Sequence, residues 1–243
     1  MAHMYLDESV EEFIVGSTFE LDGSEGRHAV SVSRLRAGER VVIGNGRGLV
    51  AEAEAIATTK TSATLRIEDV RYEDAPTLTI ALVQGLAKGD RDERAVEAAT
   101  ELNVSIIVPW AAGRSVSRWD ADKARKGQLR WASIAREASK QSLRAWQPVV
   151  EPLESTSEVA LRATSSLLLV LDPTANETLS QALVTRPDRV TLVVGPEGGI
   201  SADELATFSQ AGAVRVCLGA NILRTSTAGP AAIAAINELL GAW

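Results

Sequence analysis

Two short stretches carry residues whose types and spacing could do chemistry. The first, Val194-Gly195-Pro196-Glu197-Gly198-Gly199, follows an apolar run and precedes Ser201-Ala202-Asp203-Glu204. Three glycines, a proline and a carboxylate so close together exceed the needs of an ordinary strand-to-helix turn. Glycines let a ligand approach the backbone, Pro196 stiffens the bend, and Glu197 adds a charge. The second stretch runs Leu218-Gly219-Ala220-Asn221-Ile222-Leu223-Arg224-Thr225-Ser226-Thr227-Ala228-Gly229. It too leaves an apolar run and opens a helix. Arg224 stands where a helix N-terminus offers free N–H groups, which suits an anionic or polar ligand. Thr225, Ser226 or Thr227 also qualifies as the cap of that helix, and the two roles are compatible.

These bends need a frame. Leu78 to Val83, Ile106 to Val108, Leu167 to Leu171, Leu192 to Val194 and Val214 to Leu218 are short apolar runs. Helical spacing separates them at Asp90 to Asn103 and at Ala121 to Leu143. Such alternation predicts an α/β fold with a parallel sheet buried on both faces, whose ligands sit beyond the C-terminal strand ends. Ser201 and Glu204 predict a capping box, and a last helix is expected from about Thr227 to Leu240 with Pro230 in its first turn. Ahead of Asp74-Ala75-Pro76 the texture is β-rich. Val41 to Ile43 and Leu49 to Ala53 flank Gly44-Asn45-Gly46-Arg47-Gly48, and because strand follows, this reads as a hairpin rather than a phosphate cradle. Short strands such as Ala63 to Glu68 predict closure into a small barrel.

Composition removes several classes. The chain has 243 residues, enough for one large domain or a medium one with a small companion. The single Cys217 excludes an internal disulfide framework and a cysteine zinc site, and in Val214-Arg215-Val216-Cys217-Leu218 it reads as a buried core residue. His3 and His28 alone cannot build a metal site, so no metal is expected. No membrane span or signal peptide is visible, which points to the cytoplasm. Met1-Ala2-His3 before Met4 is set aside as a candidate cloning remnant. The net charge of −7 argues against nucleic acid, yet residues 114–144 hold nine basic and three acidic residues with Trp119 and Trp131 among them. Basic and aromatic side chains together fit an RNA-facing surface, as they also fit a solvated helical face.

The two bends together closely resemble the SPOUT methyltransferases, and within them the ribosomal RNA small-subunit methyltransferase E family. The resemblance covers most of the chain. Lys88 … Asp92-Glu93 … Ala99-Thr100-Glu101-Leu102-Asn103-Val104 … Ile107-Val108-Pro109 … Arg114-Ser115 is similar to that family's middle motif. Glu137-Ala138-Ser139-Lys140-Gln141-Ser142 … Arg144 … Pro148 resembles its helix-to-strand motif, and His28 … Arg34-Leu35-Arg36-Ala37-Gly38-Glu39 its N-terminal domain. Two positions depart: Asn103 replaces the usual Gly, and Ser226 the usual Glu. The first alters a helix C-cap, where Asn is next best; the second leaves no catalytic role for a side chain at 226.

The resemblance implies a PUA-like β-barrel RNA-binding domain over residues 1–73 and a trefoil-knotted methyltransferase domain over residues 74–243. It implies S-adenosylmethionine held by Leu171, Asp172, Pro173, Gly195, Pro196, Glu197, Gly198, Leu218, Gly219, Ile222, Leu223, Arg224 and Thr227. It implies a homodimer and methylation at N3 of a uridine in 16S ribosomal RNA of the small subunit. Arg224 is the expected catalytic stabiliser of developing charge. Glu197 is expected either to orient the base or accept its proton with a raised pKa, or simply to bond loop N–H groups. Arg114, Gln141, Ser142 and Arg144 are the expected RNA contacts. The rival readings are a SPOUT enzyme acting on ribose 2′-O or transfer RNA, and a non-catalytic RNA-binding assembly factor. An oxidoreductase is excluded because the Gly-x-Gly-x-x-Gly fingerprint is missing.

Overall fold

A computed structural model describes residues 3–243; Met1 and Ala2, set aside above, lie outside the described residues. The chain forms two compact units. One holds the residues up to Ala75 together with Ser139–Gln147, the other Pro76–Ala138 and Pro148–Trp243.

The first unit contains β1 (His3–Leu6), β2 (Thr18–Leu21), α1 (Gly23–Arg27), a π-helical turn at His28–Val32, β3 (Arg40–Gly44), β4 (Leu49–Thr58) and β5 (Ala63–Tyr72). Its sheet runs β1-β3-β4-β5-β2, parallel at β1–β3 and antiparallel elsewhere. Leu49, Ala51, Ala53 and Ala55 alternate inward against Leu65 and Ile67, the period of two that a half-buried strand imposes. Register shifts between Glu52 and Ala53 and between Ala55 and Ala57 mark irregularities where the pair can bend. No ladder joins β1 to β2 among the described residues.

The glycine-rich connection between β3 and β4 is the expected hairpin, and it serves as a seat for later chain. Gly48 N–H donates to Ala145 O at 2.9 Å, and Gln147 N–H donates to Gly46 O at 3.0 Å. A Cβ on Gly48 would stand 2.5 Å from Glu73 O, so the glycine permits close backbone approach. Segment 139–147 contributes a second anchor. Lys140 Nζ lies 3.1 Å from Glu25 Oε1, with side chains only 4% and 10% exposed. Two buried charges are tolerated because each neutralises the other at contact distance.

The second unit runs β6 (Thr79–Gly85), α2 (Arg91–Glu101), β7 (Ile106–Trp110), α3 (Ala121–Gln141), β8 (Val149–Val150), α4 (Thr156–Leu161), β9 (Leu167–Leu171), β10 (Glu177–Thr178), α5 (Leu179–Ala182), β11 (Arg189–Val194), α6 (Ala202–Gln210), β12 (Val214–Cys217) and α7 (Thr225–Leu240). The last three residues of α3 fall in the first unit's share of the chain. All ladders are parallel, in the order β10-β12-β9-β11-β6-β7-β8. Leu82, Leu169 and Leu192 face one core with Val96 and Ala99 of α2 and Ile233 and Ile236 of α7. Their neighbours Val83, Val170 and Val193 face the other, with Val159 of α4 and Phe208 of α6. Burial on both faces is why these strands read as unbroken apolar runs. Among the described residues, no helix is long and apolar enough to cross a membrane.

Local signals mostly hold, with instructive exceptions. Asn103, one residue past the C-cap of α2, has φ 68°, a left-handed position that Asn tolerates. Helix α3 stops at Gln141, and Leu143 turns to φ 56°. Pro230 does not sit in the first turn. Helix α7 starts two residues earlier than expected, so Pro230 lies inside it and the Ser226 carbonyl loses the N–H that would otherwise reach it.

Candidate functional site

The C-terminal ends of β9, β11 and β12 open into a cleft of ≈ 560 Å³. Leu171, Asp172 and Pro173 leave β9; Gly195, Pro196 and Glu197 leave β11; Leu218, Gly219, Ile222, Leu223 and Arg224 follow β12. All of these expected residues line the cleft, as does Arg114. Gly198 and Thr227 do not line it, and Gln141, Ser142 and Arg144 belong to the first unit. The sequence reading missed Thr174, Ile200, Leu205, Asn221, Thr225 and Ala228 as lining residues. It also took Cys217 for core, whereas the thiol-bearing residue is half-buried and lines the cleft. Position just beyond a parallel strand was the signal for Thr174 and Asn221; nothing in the string marked Leu205.

The bend after β11 is bound to its surroundings on every side. Thr225 Oγ1 donates to Gly195 O at 2.7 Å. Gly199 N–H donates to Pro196 O at 2.9 Å, and Gly199 takes φ +72°, which glycine adopts without strain. Arg114 Nη1 reaches Gly198 O at 3.3 Å and Ile200 O at 3.5 Å. A Cβ on Gly198 would stand 2.9 Å from Arg114 O. Gly198 is therefore small to admit the Arg114 segment. Glu204 pins that same segment. Its Oε1 accepts Gly113 N–H at 2.7 Å, while Oε2 accepts Ser201 N–H at 2.9 Å in the expected capping box.

Glu197 closes the set. It accepts Lys88 N–H at 3.0 Å and an ion-paired hydrogen bond from Arg91. Partial desolvation pushes its carboxyl up, but its own backbone N–H, Arg91 and Lys88 outweigh that and hold it below the ordinary value. The expected raised pKa is thus corrected, while the alternative, bonding loop N–H groups, describes the geometry. A raised carboxyl is found instead at Asp92, the residue after Arg91, which burial pushes up although Ala87 and Glu93 N–H groups bond it. Asp172 is occupied too. It accepts Thr174 N–H and Oγ1, each at 2.8 Å, and Arg215 Nε at 2.7 Å. Burial pushes Asp172 up, yet these donors prevail and hold it low.

The bend after β12 is different. Among the described residues, no peptide group from Gly219 to Leu223 makes a hydrogen bond within the chain. Ile222 is 81% exposed. Arg224 is the N-cap of α7 with φ −66° and ψ 152°, and its carbonyl accepts Thr227 N–H at 2.8 Å. None of the three hydroxyls expected to cap α7 does so, because Thr225 turns to Gly195 instead. Arg224 lines the cleft, and its guanidinium has no ion-pair or hydrogen-bond partner among the described residues. Among the described residues, no group of three or more His, Cys, Asp or Glu could hold a metal ion.

A concave site of this size with apolar walls, unengaged peptide groups and one free cation suits a small amphipathic molecule carrying a flat ring and a charged end. The comparisons with known proteins agree. Residues 73–237 match the family model described as an RNA methyltransferase domain, and residues 21–68 that of an RNA methyltransferase PUA domain. A ribosomal RNA small subunit methyltransferase E of Mycobacterium bovis is 38% identical over 235 residues, covering 94% of this chain and 89% of that protein. The Bacillus subtilis protein of the same name is 28% identical, over 98% of this chain and 96% of its own. A crystal structure of the Neisseria gonorrhoeae enzyme of that name, bound to S-adenosyl methionine, superposes with a TM-score of 0.88 at 29% identity over 98% of both chains. Matched along nearly its whole length by proteins of one name and one architecture, the chain belongs to the ribosomal RNA small subunit methyltransferase E family.

Proposed function

We propose that the protein is an S-adenosylmethionine-dependent methyltransferase that modifies N3 of a uridine in small-subunit ribosomal RNA. The observation that carries this reading is Arg224, which lines the cleft between the two bends while its guanidinium has no partner among the described residues. When bound, S-adenosylmethionine supplies an electrophilic methyl group. The apolar side chains of Val194, Leu218 and Leu223 would hold its adenine ring, and the unengaged peptide groups of residues 219–223 would be available to hydrogen-bond it. Uridine N3 must lose its proton, which passes to solvent because Glu197 and Asp172 are held low by their donors, and the negative charge then spreads onto the uracil oxygens. Arg224 stabilises that charge where it develops, a kind of interaction worth about 10²–10³ in turnover. Glu197 contributes by holding the bend, through Lys88 and Arg91. Because N3 lies on the pairing edge, the base enters unpaired or extruded.

Several finer points belong to the same proposal. Residues 1–73 form the PUA-like RNA-binding domain and residues 74–243 the SPOUT domain, except that segment 139–147 packs within the first unit. The chain after β12 threads as a trefoil knot; its support is that residue 225 bonds Gly195 before α7 packs on β6, β11 and α2. The enzyme works in the cytoplasm as a homodimer, and the exposed Ile222 beside the cleft favours a covering partner. Arg114, Gln141, Ser142 and Arg144 contact RNA. Burial lowers the Arg144 guanidinium to about 10, so it stays charged at neutral pH. The test is to treat small ribosomal subunits from a strain lacking this enzyme with labelled cofactor and identify the nucleoside by mass spectrometry. N3-methyluridine in the small-subunit RNA is expected. A ribose-methylated nucleoside, or label only in transfer RNA, would replace this reading with a rival one.

A further inference from the structure

A polar relay runs beneath the two bends. Gln84, next to last in β6, lies directly beside Val194, its register partner in β11 and the residue that precedes Gly195. Its side chain is completely buried. Gln84 Nε2 donates to Gly85 O at 3.1 Å and to Thr225 Oγ1 at 2.8 Å, and Thr225 Oγ1 in turn donates to Gly195 O at 2.7 Å. The direction is set by the two ends. Gly85 and Gly195 offer carbonyls, which only accept, so the amide must donate at one end and the hydroxyl at the other. Gln84 Oε1 is left buried with no partner among the described residues. A buried amide that forgoes half its bonding capacity costs stability, which is hard to reconcile with mere filling of the core.

We propose that Gln84 is a positioning residue. By donating to the Thr225 hydroxyl it aims that proton at Gly195 O, couples the β11 bend to the first residue of α7, and fixes the register of Arg224, which immediately precedes Thr225. This rests on the reading of Arg224 given above, but the coupling itself is structural and can be measured separately. Replacement of Gln84 by Glu would preserve shape and remove both donors; its carboxylate would draw the Thr225 proton away from Gly195. Replacement of Thr225 by Val would remove the hydroxyl without changing shape, and Thr225→Ser would restore it.

The experiment combines hydrogen exchange with steady-state kinetics on the full-length protein. For Thr225→Val and Gln84→Glu, exchange at the amides of residues 195–200 and 225–228 should rise together, with turnover reduced at least tenfold and cofactor affinity changed less. Thr225→Ser should return both exchange protection and most of the turnover. The double variant Gln84→Glu/Thr225→Val should be no worse than the worse single one. Since Gln84→Glu risks misfolding, Gln84→Met serves as a second, uncharged variant with the same expectation. Unchanged exchange at both bends, additive losses in the double variant, or a Thr225→Ser protein as impaired as Thr225→Val would overturn the relay. If exchange responds as expected but the wild-type protein transfers no methyl group, the relay stands and the assigned reaction fails.

Discussion

The two bends that form the cleft are built on opposite plans. The one at 195–200 is held by Thr225, Arg114 and Gly199, and through Glu197 by Lys88 and Arg91. The one at 219–223 makes no hydrogen bond of its own within the chain among the described residues, and it ends at an arginine with a free guanidinium. A pre-organised wall lowers the entropic cost of binding, because it is already ordered before the ligand arrives. An unsatisfied wall keeps its donors and acceptors available for ligand or partner. The pairing teaches that similar glycine-bearing strings can do opposite things: one set lets the chain pack on itself, the other leaves it open.

The largest effect should come from spoiling the fixed wall. Gly198→Val places carbon against Arg114 O, so the Arg114 segment and the bend cannot both keep their places. Cofactor affinity should fall about 100-fold by calorimetry, near the upper end of the roughly 1–3 kcal/mol that an overpacked site costs. Melting temperature should drop with it. Undiminished affinity would mean that the bend's rigidity is irrelevant to binding. Next in size is the open wall. Arg224→Ala removes a side chain that holds nothing else, so fold and cofactor affinity should change little while turnover falls about 10²-fold. Equal losses in affinity and turnover would reassign Arg224 to plain binding.

The smallest effect tests which wall Glu197 serves. Its pKa lies below the ordinary value of 4.5. A depressed carboxyl contributes stability that is complete above the unfolded pKa and is lost as pH falls through the folded one. Glu197→Gln should therefore flatten the loss of stability below about pH 4.5 in acid melts. The shape of the pH–rate profile near neutrality should stay as in the wild type. A lost limb there would make Glu197 the proton acceptor after all.

Much of this was legible in the string. Strands β9 and β11, the Ser201–Glu204 cap and the hairpin at Gly44–Gly48 follow from local patterning, which needs no partner to express itself. The two bends stood out because both follow apolar runs, whereas the individual cleft residues, Leu171 to Pro173 among them, were implied by the family resemblance. What escaped depends on contacts distant in sequence. Gln84 bonds a residue 141 positions away, and Lys140 finds Glu25 across 115. Gly198 looks the same in sequence whether it faces a ligand or Arg114; only the fold decides. Segment 139–147 was read with the later domain because it continues α3, yet its backbone bonds go to Gly46 and Gly48.

Cys217 gives the cleft a chemical handle. It is the chain's one cysteine, half-buried, and part of the wall at the end of β12. Thiol-directed alkylation or labelling therefore strikes the wall of this cleft and no other cysteine. A fluorine or fluorescent tag attached there would report occupancy of the cleft with no engineered anchor.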